Sequence, residues 1–75
     1  TAAGLKIYLR DATPVPIIRQ VLDRAGRGKG RVQISLDLPE LGWEADLTVK
    51  GAFAISPAVR SAIGSLPQVL DVQET

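Results

Sequence analysis

Two stretches of this chain repeat one apolar spacing. Ile17, Ile18, Val21, Leu22 and Ala25 fall at i, i+1, i+4, i+5 and i+8, and Ala58, Val59, Ala62, Ile63 and Leu66 fall at the same offsets. At the helical period each set lines one side of a short helix and leaves the other side polar. Each set follows a hydroxyl residue and a proline, Thr13-Pro14 and Ser56-Pro57. The hydroxyl suits the N-cap, and proline, with no N–H to satisfy, suits the first helical position. Gly26 closes the first helix as a C′ glycine, and Gly64 with Pro67 closes the second. A helix with one apolar stripe must bury it, so the rest of the chain has to supply an apolar face.

Four alternating runs supply that face. Leu5, Ile7 and Leu9 alternate with Lys6, Tyr8 and Arg10. Val32, Ile34, Leu36 and Leu38 alternate with Arg31, Gln33, Ser35 and Asp37. After the turn Pro39-Glu40-Leu41-Gly42, Trp43, Ala45, Leu47 and Val49 alternate with Glu44, Asp46, Thr48 and Lys50, so these two runs read as a hairpin. Val69 to Gln73 is a short last strand. The order β-α-β-β-α-β, without linkers, predicts one α+β domain over residues 1–75. The expected architecture is a ferredoxin-like sandwich: a four-stranded antiparallel sheet, spatial order 4-1-3-2, with both helices on one face. The opposite face would carry Lys6, Tyr8, Arg10, Gln33, Ser35, Asp37, Glu44, Asp46, Thr48, Lys50, Asp71 and Gln73, open to solvent.

A domain this small must bury nearly every Val, Ile and Leu to offset chain entropy, leaving few for a separate groove. Trp43 shares the parity of Ala45, Leu47 and Val49 and is expected in the core or at its edge. Phe53 is expected to plug the end of the core beneath the second helix.

The chemistry available is narrow. There is no Cys and no His, which removes disulfides, thiolate zinc sites, cysteine nucleophiles and histidine acid–base catalysis. Ser35, Ser56, Ser61 and Ser65 lack a histidine to activate them. Glu44 and Asp46 share a strand face, but an open sheet face excludes no water, and two solubilising charges is the plainer reading. No metal or other cofactor is expected in this domain. Tyr8 is the one aromatic on the open face, without the partners that a base-stacking platform needs.

Net charge is +1, with an asymmetry beneath it. Thr1 to Arg31 carries seven bases and two acids, and the remainder carries two bases and six acids. Arg24-Ala25-Gly26-Arg27-Gly28-Lys29-Gly30-Arg31 holds four bases and no acid. It fails as a phosphate loop, because it leaves a helix and runs into a strand, and Gly30 stands where a Ser or Thr is needed. What survives is a flexible cationic loop in which Arg27, Lys29 and Arg31 are candidate phosphate contacts, or simply solvated charges. In the expected topology these three lie near Lys50. No run approaches a membrane span, and no positive-then-apolar leader opens the chain, so a soluble, cytoplasmic protein without membrane partners is expected. A chain that starts at Thr1 is expected to be part of a longer one.

Four segments carry a resemblance: Gly4-Leu5-Lys6-Ile7-Tyr8-Leu9-Arg10-Asp11, Gly28-Lys29-Gly30-Arg31-Val32, Gly51-Ala52-Phe53-Ala54-Ile55-Ser56-Pro57 and Pro67-Gln68-Val69-Leu70-Asp71-Val72. In order and spacing they resemble the C-terminal segment of the bacterial replicative polymerase, the alpha subunit of DNA polymerase III in its alphaproteobacterial form. Departures are Pro67-Gln68, where Pro-Gly is the family's habit, and the hairpin around Trp43. The resemblance implies that the parent chain is a DNA-directed DNA polymerase, a nucleotidyltransferase whose divalent metals sit in a distant palm domain. This segment would be non-catalytic and would dock the tau subunit of the clamp loader, meeting other replisome subunits through the parent chain.

For such docking, the open face offers Tyr8 and Arg10 as anchors amid Lys6, Gln33 and Thr48. Two alternatives come from other classes. One is a small-molecule regulatory domain of the ACT type, whose Asp-x-Pro-Gly turn is here Asp11-Ala12-Thr13-Pro14-Val15, without the glycine. The other is a nucleic-acid module using the basic segment, weak, sequence-blind and salt-sensitive.

Overall fold

The computed structural model describes residues 4–75. In chain order the elements are β1 (Leu5–Leu9), α1 (Val15–Ala25), β2 (Arg27–Gly30), β3 (Val32–Leu38), β4 (Trp43–Thr48), α2 (Pro57–Gly64) and β5 (Val69–Glu74). Four strands form one sheet in the order β4-β3-β1-β5. Leu5, Ile7 and Leu9 of β1, Val32 and Ile34 of β3, Ile18 and Leu22 of α1, and Ile63 of α2 meet in a single core with Phe53. Both helices therefore lie on one face of the sheet, and the fold is α+β and consistent with a ferredoxin-like arrangement.

The strand order differs from the expected one, and so does the sheet's character. β1 pairs with β3 in parallel, Ile7 opposite Ile34, and with β5 antiparallel, Ile7 opposite Val72; β3 pairs antiparallel with β4. The sheet is mixed rather than antiparallel, and the hairpin β3–β4 is turned so that β3 is central and β4 is an edge. Composition is compatible with the choice but does not dictate it. Val32 and Ile34 make β3 fit to be buried on the helix side, whereas Glu44 and Asp46 suit an edge, where charge discourages stray pairing. The N–H of Leu5 donates to the Arg31 carbonyl at 2.8 Å, which starts β3 directly beside β1.

The basic segment is not the flexible loop expected of it. Arg27–Gly30 forms the short strand β2, off the main sheet, bridged to Phe53 from both Arg27 and Gly30. The Ala54 N–H donates to the Gly26 carbonyl at 2.9 Å, and the Gly28 N–H to the Ala52 carbonyl at 3.4 Å. The glycines make this possible. A Cβ on Gly28 would lie 2.5 Å from Ala54 Cα, so only a residue without a side chain lets the two backbones approach. Gly26 ends α1 at φ 87° and ψ −179°, a positive-φ extended conformation open to glycine, its N–H still donating to the Leu22 carbonyl.

The helix starts divide. Ser56 caps α2 as expected, its Oγ accepting from the Val59 N–H at 3.3 Å. Thr13 does not cap α1. The helix opens one residue later than expected, on Pro14 as N-cap, and the Thr13 N–H is taken by Asp11 Oδ1 at 2.9 Å. An Asx turn at Asp11 competes for the same backbone and wins. Ile18 and Leu22 face the sheet as expected, and so does Ile63 with Val59 packed beside it. Phe53 is in the core, but its ring lies on the α1 side, 5.7 Å from the Arg19 guanidinium.

Candidate docking surface

Register places the sequence-predicted site residues in rows across the open face. Thr48 stands opposite Gln33, Gln33 beside Lys6, and Lys6 opposite Gln73. The next row reads Asp46, Ser35, Tyr8, Asp71. Lys6, Tyr8, Gln33 and Thr48 are thus brought together by alternation alone. Lys6 Nζ lies 5.4 Å from the centre of the Tyr8 ring, and the Tyr8 hydroxyl donates to Gln73 Oε1 at 3.4 Å. Arg10 lies beyond the end of β1, its N–H donating to the Gln68 carbonyl at 3.3 Å. It lines a recess with Asp11, Leu38, Pro39, Glu40 and Leu41, next to the β3–β4 turn and apart from the Tyr8 patch.

The helix-side face holds what sequence reasoning missed. Trp43 is 65% exposed and Leu47 46%, against 2% for Ile34, which stands opposite Leu47; Leu41, in the turn before β4, is 62% exposed. The expectation of a core Trp43 is corrected, and with it the expectation that nearly every Val, Ile and Leu is buried; Ile17 and Leu70 are exposed too. The cause is the strand order. In the expected order the strand of Trp43 would lie inside the sheet beneath a helix. In the observed order α2 runs back to β5 at the far edge and packs there, α1 packs on α2, and Trp43 and Leu47 of β4 stay exposed. Between α1 and β4 an open groove of about 490 Å3 remains, lined by Val15, Ile18, Ile34, Leu47 and Val49 among others. The signal available in the sequence was Glu44 and Asp46 flanking the apolar parity, a strand whose charges mark an edge.

The basic segment contributes a second feature. Arg27 lines a recess of about 610 Å3 with Lys50, Arg19 and Asp23. Lys29 and Arg31 do not line it. Arg19 is already engaged, 3.4 Å from Asp23 and over the Phe53 ring. Among the described residues no group of three or more carboxylates, histidines or cysteines is placed to hold a metal ion, and no helix is long and apolar enough to cross a membrane. Set against family models, curated proteins and solved structures, the chain matches none.

Proposed function

We propose that this chain is a non-catalytic docking domain, the C-terminal segment of a cytoplasmic replicative DNA polymerase of the DNA polymerase III alpha type. In this reading it ties the polymerase to the tau subunit of the clamp loader, while nucleotidyl transfer and its divalent metals belong to the palm of the parent chain. The family and the partner rest on the four resembling segments. The docking role rests on one observation: a very small domain leaves Trp43 and Leu47 exposed along one strand, with Leu41 exposed in the turn before it. Exposed apolar side chains on one patch of a small protein mark a contact surface, and an aromatic among them is the residue type that anchors such contacts. Tyr8, with Lys6, Gln33 and Thr48, offers a polar patch on the opposite face of the sheet, and Arg10 stands beyond the end of β1.

The test is calorimetric titration of the chain with the C-terminal region of tau. Tyr8→Ala and Arg10→Ala are expected to weaken binding tenfold or more, about 1.4 kcal/mol each, with the fold intact. Trp43→Ala is expected to weaken it at least as much. Absence of any binding sinks the tau assignment. Normal binding by all three variants, with loss on deleting residues 69–75, moves the contact to β5.

A second reading draws on the recess of Arg27, Lys50 and Arg19. Bases gathered at one end of a domain contact phosphates without reading sequence. A short DNA duplex binding weakly at low salt, and released as salt rises, is the result that reading requires.

A further inference from the structure

The two edges of the sheet are finished differently. β5 is interrupted by a bulge at Leu70, where the register to β1 shifts, and Glu74 on its helix side is held by Arg60 of α2 at 3.3 Å. β4 pairs with β3 without a register shift over its whole length and contains no proline. Val49 donates its N–H to the Val32 carbonyl at 2.9 Å, so in the antiparallel ladder the odd-numbered residues of β4 are the ones bonded to β3. The backbone N–H and C=O groups of Glu44, Asp46 and Thr48 consequently point away from the sheet. This is an unpaired strand edge, ready to template another strand.

Its two faces differ in chemistry. Helix-side, Trp43 and Leu47 present apolar surface with Ala45 between them. On the open side stand Glu44 and Asp46, with Asp37 opposite Glu44 on β3. No base occurs between Arg31 and Lys50 to offset these acids. A second copy of the chain is a poor occupant. Two β4 strands paired antiparallel about Ala45 would set Glu44 against Asp46 of the other copy twice, and paired about Asp46 would set that acid against itself; like charges directly opposite destabilise a pair.

Resting on the docking reading above, we propose that β4 binds its partner by strand addition. The occupant is an extended segment of a partner protein in which apolar residues alternate with Lys or Arg. Its backbone pairs with Glu44, Asp46 and Thr48. Its apolar side chains pack against Trp43 and Leu47 while its bases face Glu44 and Asp46. Main-chain bonds supply affinity in such a mode, and the alternation supplies specificity.

The probe is a short peptide alternating lysine and valine, titrated into the isotope-labelled chain and followed by amide shifts and hydrogen exchange. Expected are shifts along β4 and slowed exchange at the amides of Glu44, Asp46 and Thr48. The same peptide with glutamate for lysine should bind at least tenfold more weakly. Asp46→Pro removes an outward N–H without touching the β3 ladder and should cost at least tenfold in affinity. Asp46→Lys, which keeps the backbone donor and so guards against a folding defect, should do the same through charge. Equal binding by these variants or by the glutamate peptide overturns the proposal. So does slow exchange of the same amides in the chain alone that grows with its concentration, which would make a second copy the occupant. If tau fails to bind but the lysine peptide protects β4, the tau assignment falls and the edge stands. If tau binds and Asp46→Pro is without effect, the edge falls and the docking role stands.

Discussion

Strands β3 and β4 are neighbours with the same alternation, joined by a four-residue turn, and they have opposite fates. Ile34 and Leu47 stand opposite each other on the helix side of the sheet, yet one is 2% exposed and the other 46%. The same contrast separates Val32, fully buried, from Trp43. Alternation decides which side of a sheet a residue faces; it does not decide whether anything lies over that side. Cover comes from the helices, and where they settle depends on which strand the chain returns to after α2. In this protein the return is to β5, and the β4 flank is left open.

The contrast can be broken most directly by truncating the facing pair. Ile34→Ala should destabilise the domain by about 2–5 kcal/mol through the cavity it leaves, a large share of what so small a domain has. Leu47→Ala, already half in water, should cost about 1 kcal/mol. Urea unfolding of the two variants gives the comparison. Equal losses would mean that α1 covers β4 after all. Leu22→Ala, on the helix that covers β3, should fall with Ile34→Ala.

A sharper version reverses the usual relation between size and cost. Gly28→Ala adds one methyl group against the Ala54 backbone and should lose about 1–3 kcal/mol as β2 is pushed from residues 52–54. Trp43→Ala removes the largest side chain in the protein and should lose under about 1 kcal/mol, because little of it is buried. The indole itself reports the same fact: its fluorescence should be readily quenched by acrylamide in the free chain and protected once a partner occupies β4. A midpoint that falls further for Trp43→Ala than for Gly28→Ala would put the tryptophan back in the core.

The smallest effect belongs to the other edge. Arg60 and Glu74 form an exposed pair, and Arg60→Ala should change stability by no more than about 1 kcal/mol. If the pair guards the β5 edge, the variant should let the lysine–valine peptide slow exchange at β5 as well as at β4. Protection confined to β4 would show that the bulge at Leu70 suffices without it.

Much of this molecule was legible from residue spacing, because the relevant forces are local. The two helical stripes, the alternation of the four long strands, the Ser56 cap and the stop at Gly26 depend on neighbours within about one turn or two residues. The rows of the open face, with Lys6, Tyr8, Gln33 and Thr48 side by side, follow from alternation once the strands pair. Short-range competition already limited that reading at Asp11, whose side chain took the Thr13 N–H and moved the start of α1. The glycines of the basic segment illustrate a further step. A run of Gly and bases reads as a loop, since no side chains declare a partner. Only the approach of Ala52–Ala54, some twenty-five residues along the chain, turned Arg27–Gly30 into a strand.

Taken alone, then, the sequence determined the two helices and the four long strands, their order, the core faces of β1, β3, α1 and α2, and the absence of histidine and cysteine chemistry. The tertiary structure alone decided that β3 rather than β4 lies beside β1. From that single pairing follow the mixed sheet, the exposure of Trp43 and Leu47, and the open edge. The physical reason is that both orders satisfy the same local preferences and bury the same stripes. They differ only in which strand gives up its cover, a balance of long-range pairing and burial that no window of a few residues contains.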